Sequence, residues 1–175
     1  LQHMEPDHDS SALALLAKYP DAKIIGQPQT FKLFEQFFRH PMTDRYVAVK
    51  EGDQLALGKH TLQFVKAPMV HWPEVIMSYD LTDHVLFSAD AFGQFGTVGN
   101  VYADQVDFEE NYLDSARRYY VNIVGKYGPQ VVNVLKKASG LPIDFICPLH
   151  GFVFRTPATI KYIIDKYLHW AKYVP

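Results

Sequence analysis

Cysteine is nearly missing from this chain: Cys147 stands alone among 175 residues, so no disulfide can form within it. A core held without cross-links suits a reducing compartment, and a cytoplasmic location is the expectation. Excess charge of one sign is also lacking. The 17 Lys and Arg against 19 Asp and Glu leave a net charge of −2, which provides no field to gather nucleic acid or an anionic bilayer. No apolar run approaches the roughly 18 residues that span a membrane. No charged start followed by an apolar core marks a secretory signal, and there is no internal repeat or low-complexity segment. Apolar material is plentiful, at 48% of 175 residues. That is enough for a sizeable core and for one domain or most of one.

Hydrophobic periodicity predicts alternating helices and strands, an α/β class (α+β in some schemes). Ser10 reads as the cap of a helix over residues 10–18, stopped by Tyr19-Pro20, and residues 22–26 as a strand. A helix is expected over residues 28–38 with Phe31, Phe34, Phe37 and Phe38 on one face, as core or interface. Strands are expected at 45–49 and 61–65 with Glu51-Gly52-Asp53 turning between them, and at 75–79 and 84–88 joined by Leu81-Thr82-Asp83. A loop rich in Gly and Phe follows Asp90. Helices over 107–124 and 129–138 come next, the second closed by Gly140, then a strand at 143–146 and an amphipathic helix over 157–173.

The chemistry begins at His3-Met4-Glu5-Pro6-Asp7-His8, four metal-capable side chains in six positions. Without a cation, four such neighbours repel or need partners. Alternate residues of an extended segment point the same way, which would bring His3, Glu5 and Asp7 to one side and turn His8 to the other. Further candidates are His71 before Trp72-Pro73, Asp90 in Ser88-Ala89-Asp90-Ala91-Phe92-Gly93, and His150 in Cys147-Pro148-Leu149-His150-Gly151. Each follows an apolar, strand-like run, and sites in layered α/β folds gather beyond the carboxyl ends of strands. The spacing therefore suggests seven ligands on one rim: His3, Glu5, Asp7, His8, His71, Asp90 and His150. Imidazole and carboxylate suit two adjacent irons, which can hold a diatomic and deliver two electrons; zinc has no redox chemistry. Asp9, Ser88 and Tyr120 are candidates for orienting the ligands through hydrogen bonds. His40, His60, His84 and His169 read as surface or satisfied residues. Several positions keep two readings. Asp90 is a ligand or a helix N-cap, Cys147 an iron ligand or a buried small hydrophobe, and Trp72 packs against the rim or, in the family these motifs resemble, faces a flavin ring.

Together these motifs resemble the metallo-β-lactamase-like domain of flavodiiron proteins, also called A-type flavoproteins or rubredoxin:oxygen oxidoreductases. The resemblance runs nearly end to end. The family's H-x-E-x-D-H signature appears as His3 to His8, its later histidine as His71, its bridging aspartate as Asp90, and its last histidine as His150. Zinc hydrolases of the same superfamily carry H-x-H-x-D-H. Glu5 in place of that second histidine hardens the site and shifts preference toward iron.

The resemblance implies an αββα sandwich, of which this chain supplies the C-terminal two-thirds; the first strands are expected before His3 and a flavodoxin domain after residue 175. It implies two irons, one held by His3, Glu5 and His71, the other by Asp7 and His150, with Asp90 bridging. His8 is then either a ligand or displaced by water. The implied activity is reduction of dioxygen to water, of nitric oxide to nitrous oxide, or both. Electrons would come from the FMN of the flavodoxin domain, fed by a donor such as rubredoxin or a flavin reductase, within a head-to-tail homodimer. Some members place a histidine soon after the Asp-Ala-Phe-Gly segment, whereas this chain reads Gln94-Phe95-Gly96. Two other classes stay open: a metal hydrolase of this fold using metal-bound hydroxide, against which Glu5 argues, and a non-catalytic diiron dioxygen sensor that needs no flavin.

Overall fold

In the computed structural model, which describes residues 1–41 and 43–173, the chain alternates helices with strands gathered into two sheets. Residues 174–175, the end of the expected domain, lie outside the described residues. Short helices α1 (Pro6–Asp9) and α2 (Ala12–Lys18) lead to strand β1 (Ile24–Gly26). Helix α3 (Pro28–Phe38) then connects β1 to its parallel partner β2 (Tyr46–Ala48). Reciprocal Gln27 and Thr30 bonds and Pro28 start α3, and Arg39 in the left-handed region (φ 51) ends it. Phe31 and Phe34 pack with Met4, Leu16 and Ile24 in a small core. Phe37 stays exposed and stacks on Trp72, so the expected four-Phe face is divided between core and surface.

The larger sheet has the order β3 (Gln54–Leu57), β4 (His60–Lys66), β5 (Ile76–Asp80), β6 (Val85–Phe87), β7 (Phe145–Cys147). Neighbours are antiparallel through β6, and β7 joins β6 in parallel. It follows that β4, β6 and β7 run in the same direction and end on one rim. Every residue of β5 is buried, as a central strand covered on both faces demands. After the single turn α4 (Phe108–Asn111), helices α5 (Leu113–Ile123), α6 (Gly128–Ala138) and α7 (Pro157–Trp170) complete the fold. Their Ala116, Val131, Val134 and Ile163 join Val65, Met77, Leu86 and Ile146 of the sheet in the main core. Among the described residues no helix is long and apolar enough to cross a membrane.

Three expectations need correction. Residues 3–8 are not one extended run: Pro6, with its φ already set, opens α1, so Asp7 and His8 sit on a helical turn. The strand at 46–48 does not face 61–65; it pairs with β1, and the turn at Lys50–Asp53 leads instead into β3, which forms a hairpin with β4 around Gly58 (φ +66). Gln54-Leu55-Ala56-Leu57 is short and mostly exposed, and so lacks the alternating stripe that announces a strand. The helix over 107–124 is broken at Tyr112 (φ −130), with Asp107 accepting the Glu110 N–H at 3.1 Å to cap α4 separately.

Phe34 is wholly buried in the small core. Phe34→Ala should lower the free energy of unfolding by about 3–5 kcal/mol, measured as a shift in urea midpoint. A loss of under about 0.5 kcal/mol, the scale of a surface change, would mean that this core does not hold α3 in place.

Candidate metal centre

Three loops leave the shared rim: His71 follows β4, Asp90 follows β6, and His150 follows β7. They are stitched together. The Ser88 N–H donates to the Cys147 carbonyl (3.2 Å), the Leu149 N–H to the Ala89 carbonyl (2.9 Å), and the Ser88 hydroxyl to the Ala91 carbonyl (2.8 Å). Ser88 thus shapes the turn that carries Asp90. Ala89 (φ 54) and Phe92 (φ 70) flank Asp90 in the left-handed region, a conformation costing about 1–3 kcal/mol for residues with a Cβ and kept only where the surroundings fix it. The Tyr167 hydroxyl helps by accepting the Phe92 N–H at 2.6 Å.

All seven candidate ligands converge, in two groups: His3, Glu5, His71 and Asp90, then Asp7, His8 and His150. In the first group His3 Nε2 lies 3.1 Å from His71 Nε2 and 3.2 Å from Asp90 Oδ2, while Glu5 Oε2 is 3.2 Å from His71 Nε2. In the second, Asp7 Oδ2 is 3.2 Å from His150 Nε2 and Asp7 Oδ1 is 3.5 Å from His8 Nε2. Asp90 belongs to both, since its Oδ1 sits 3.1 Å from His8 Nε2 and 3.5 Å from His150 Nε2. One carboxylate therefore turns an oxygen to each group. Asp7 falls with His8 and His150, not with His3 and Glu5 as alternation in an extended strand would give, because α1 rotates it away.

Glu74 is a residue the sequence reading missed. Fully buried, its Oε1 accepts the Met4 N–H (2.9 Å) and pairs with His3 Nδ1 (2.8 Å). With the Nδ1 proton directed at Glu74, the neutral ring presents a bare lone pair at Nε2 toward the group. The signal was an acidic residue entering the apolar run Val75-Ile76-Met77. In the metal-free protein burial opposes charging of His3, but hydrogen bonds and charge from Asp90 and Glu74 outweigh it and raise its pKa to about 9. Burial likewise works against the charged form of Asp90, yet His3 and His71 hold it well below the usual carboxylate range. Asp9 is buried beside the cluster and pushed up to about 6 by that burial, its Oδ2 unbonded.

Tyr120 does not reach the cluster. It packs in the main core against Tyr167 and Trp170. Its neighbour Tyr119 reaches instead, with its ring 5.7 Å from that of His150 and its hydroxyl pKa raised by burial and then by the Asp90 charge. Helical phase separates the two: Tyr119 shares a face with Ile123, which lines the same recess, whereas Tyr120 shares one with buried Ala116 and Val124. Gly93 gives Tyr119 room, since a Cβ there would lie 2.9 Å from its ring. Trp72 packs against both cores and sets its ring edge-on to His3 at 5.0 Å. Cys147 is half-buried, with burial raising its thiol pKa. His60 pairs with Asp80 (2.7 Å) and His84 with Asp144 (3.0 Å), away from the cluster.

The donor set fits a pair of cations. Three carboxylates and four imidazole nitrogens crowd within hydrogen-bonding distance, yet Asp90 Oδ2 has no properly directed donor. Lone pairs aimed at common points repel unless positive charge sits between them. Asp90, Glu5 and Asp7 supply hard oxygen, and the histidines supply borderline nitrogen, a mixture that suits iron, manganese or zinc. The second group is the more open, with Asp7 and His150 side chains 48% and 35% exposed against 0% for His3.

Two predictions come from this geometry. Glu74→Gln keeps the shape but loses the charge behind His3, so metal affinity should fall about 10- to 100-fold in a competitive chelator titration; an unchanged affinity would remove Glu74 from the site. His3 in the metal-free protein titrates near 9 instead of 6.5, so the stability from its ion pairs is present below about 6.5 and lost as pH rises through about 9. Because metal must displace that proton, apparent affinity should rise by roughly tenfold per pH unit up to that point. A flat profile from pH 7 to 9 would contradict a protonated His3.

Comparison with known proteins agrees with this geometry. Residues 1–151 match the ODP family beta lactamase model. Anaerobic nitric oxide reductase flavorubredoxin of Aeromonas hydrophila is 36% identical over 98% of this chain and 34% of its own length. Rubredoxin-oxygen oxidoreductase of Megalodesulfovibrio gigas is 34% identical over 100% of this chain and 44% of its own. The chain thus spans well under half of these curated relatives. Among solved structures, rubredoxin oxygen:oxidoreductase of Desulfovibrio gigas superposes with a TM-score of 0.93 at 32% identity, covering 99% of this chain and 43% of that one. The flavodiiron protein of Giardia intestinalis gives 0.90 at 28% identity, covering 98% and 41%. With its rim of histidines and carboxylates on a beta-lactamase-like α/β fold, and with residues 1–151 matching its model, this chain belongs to the ODP family beta lactamase group, and its structure is similar to those of flavodiiron proteins.

Proposed function

We propose that this chain is the diiron domain of a flavodiiron oxidoreductase that reduces dioxygen to water, nitric oxide to nitrous oxide, or both. The observation that carries the reading is Asp90, with one carboxylate oxygen facing His3 and His71 and the other facing His8 and His150. In this reading His3, Glu5 and His71 would hold one iron and Asp7, His8 and His150 the other, with Asp90 shared between them. His8 counts as a ligand because its Nε2 approaches both Asp90 and Asp7. When bound, the iron pair supplies redox chemistry that zinc lacks. The chain's own residues orient and enclose. Glu74 fixes the His3 tautomer, Ser88 and the 88–149 backbone bonds hold Asp90 against His150, and Tyr119 covers the cluster beside Phe95.

Electrons would enter from an FMN on a flavodoxin domain, fed by a donor such as rubredoxin or a flavin reductase. A head-to-tail homodimer is the arrangement that would bring one subunit's FMN to the partner's irons, with Trp72 and the exposed Phe37 stacked on it as the aromatic edge nearest His3. The names of the curated relatives support both gases and a rubredoxin-type donor, and the single cysteine fits a cytoplasmic setting.

Elemental analysis of protein from iron-replete cells should give two irons per chain, and turnover of dioxygen or nitric oxide should follow addition of a reduced flavodoxin domain. Asp90→Ala should deplete both positions and cut turnover by more than about 100-fold, beyond the range of an outer hydrogen-bonding change. Two zinc ions with hydrolytic turnover would point to the hydrolase class, and two irons with gas binding but no turnover to a sensor.

A further inference from the structure

Gln94 follows Gly93 on the loop that carries Asp90. Its side chain is buried, and its amide nitrogen meets no hydrogen-bond acceptor among the described residues. A buried donor left unpaired is costly, so native structures provide it with a partner. The side chain lines a recess of about 260 Å³ together with Glu5, Asp7, Tyr119 and His150. The backbone opposite is shaped to admit it: Gly151 holds φ +87, and a Cβ there would stand 2.6 Å from Gln94 Cγ. Only glycine next to His150 lets the amide lie where it does.

The rest of the recess offers little to a ligand beyond the metal-binding groups. Its walls include apolar Phe95 and Ile123 and no Lys or Arg. Tyr119 is buried, and its hydroxyl pKa is raised by that burial and by the Asp90 charge, which keeps the hydroxyl protonated. Among the described residues lining this recess, Gln94 is thus a buried side-chain donor with no partner.

We propose that Gln94 Nε2 donates a hydrogen bond to a small molecule ending in oxygen or nitrogen held at the metal pair, and so sets how tightly negative charge on that molecule is tolerated. The inference rests on the metal-pair reading above. A carboxamide neither gains nor loses a proton near neutral pH. Gln94 therefore orients and stabilises the bound molecule without supplying a proton to it.

Azide tests this, titrated by visible absorption into the iron-loaded chain, with iron counted in every sample. Gln94→Met keeps length and removes the donor, so azide affinity should drop about tenfold or more, while Gln94→His, which restores an N–H, should stay within about threefold of the parent. Should the Met variant fail to hold two irons, Gln94→Glu replaces it, with a like charge facing azide and at least the same loss expected. Two irons with parental azide affinity in the Met or Glu variant would overturn the inference while leaving the metal pair standing. Equal weakening in the Met and His variants would also overturn it, by showing that shape and not donation matters. If the parent chain takes up no iron pair, the reading beneath the inference falls and the inference with it.

Discussion

One buried carboxylate governs the centre of this molecule. Asp90 has no exposed surface, yet its two oxygens lie among four imidazoles drawn from three parts of the chain. An anion in that position has no water to rely on, so it must be matched by positive charge, whether protons on the histidines or cations among them. The pKa directions of His3 and Asp90 express the first solution, and the convergence of lone pairs on two points expresses the second.

The scaffold appears in this light as a set of devices for aiming Asp90 and its neighbours. Parallel orientation of β4, β6 and β7 brings three loops to one rim, and hydrogen bonds between the β6 and β7 loops fix their spacing. Left-handed residues on either side of Asp90 trade local strain for direction. Gly93 and Gly151 let Tyr119 and Gln94 approach more closely than any side chain would allow. Glu74 reaches from behind, where it both steadies the N-terminal segment through Met4 and orients His3.

Much of this was legible in the sequence, for physical reasons. Histidine and carboxylate at short spacing, placed after apolar runs, named all seven residues that converge, because strand ends and ligand chemistry are both local signals. The grouping was not legible from alternation, since Pro6 imposes a helical turn that reassigns Asp7. Glu74 and Tyr119 escaped because their roles depend on burial against residues dozens of positions away, which no local pattern encodes. Tyr120 packs in the main core while Tyr119 lines the recess, a difference of one position that amounts to a rotation of about 100° on α5. β3 escaped because its exposed face carries no periodic stripe.

The candidate ligands are spread from residue 3 to residue 150, so the centre is almost wholly non-local. Contacts of that kind close only after long stretches of chain have been brought together at an entropic cost. The small core around Phe34 contributes the early residues, while the main core contributes Asp90 and His150. A cation seated among them is bound by the assembled molecule and hardly at all by the disordered chain, and so stabilises the joint between the two cores by mass action. If iron is that cation, its supply would set the protein's lifetime as well as its chemistry, since the seam where Trp72 touches both cores is the joint it would hold closed.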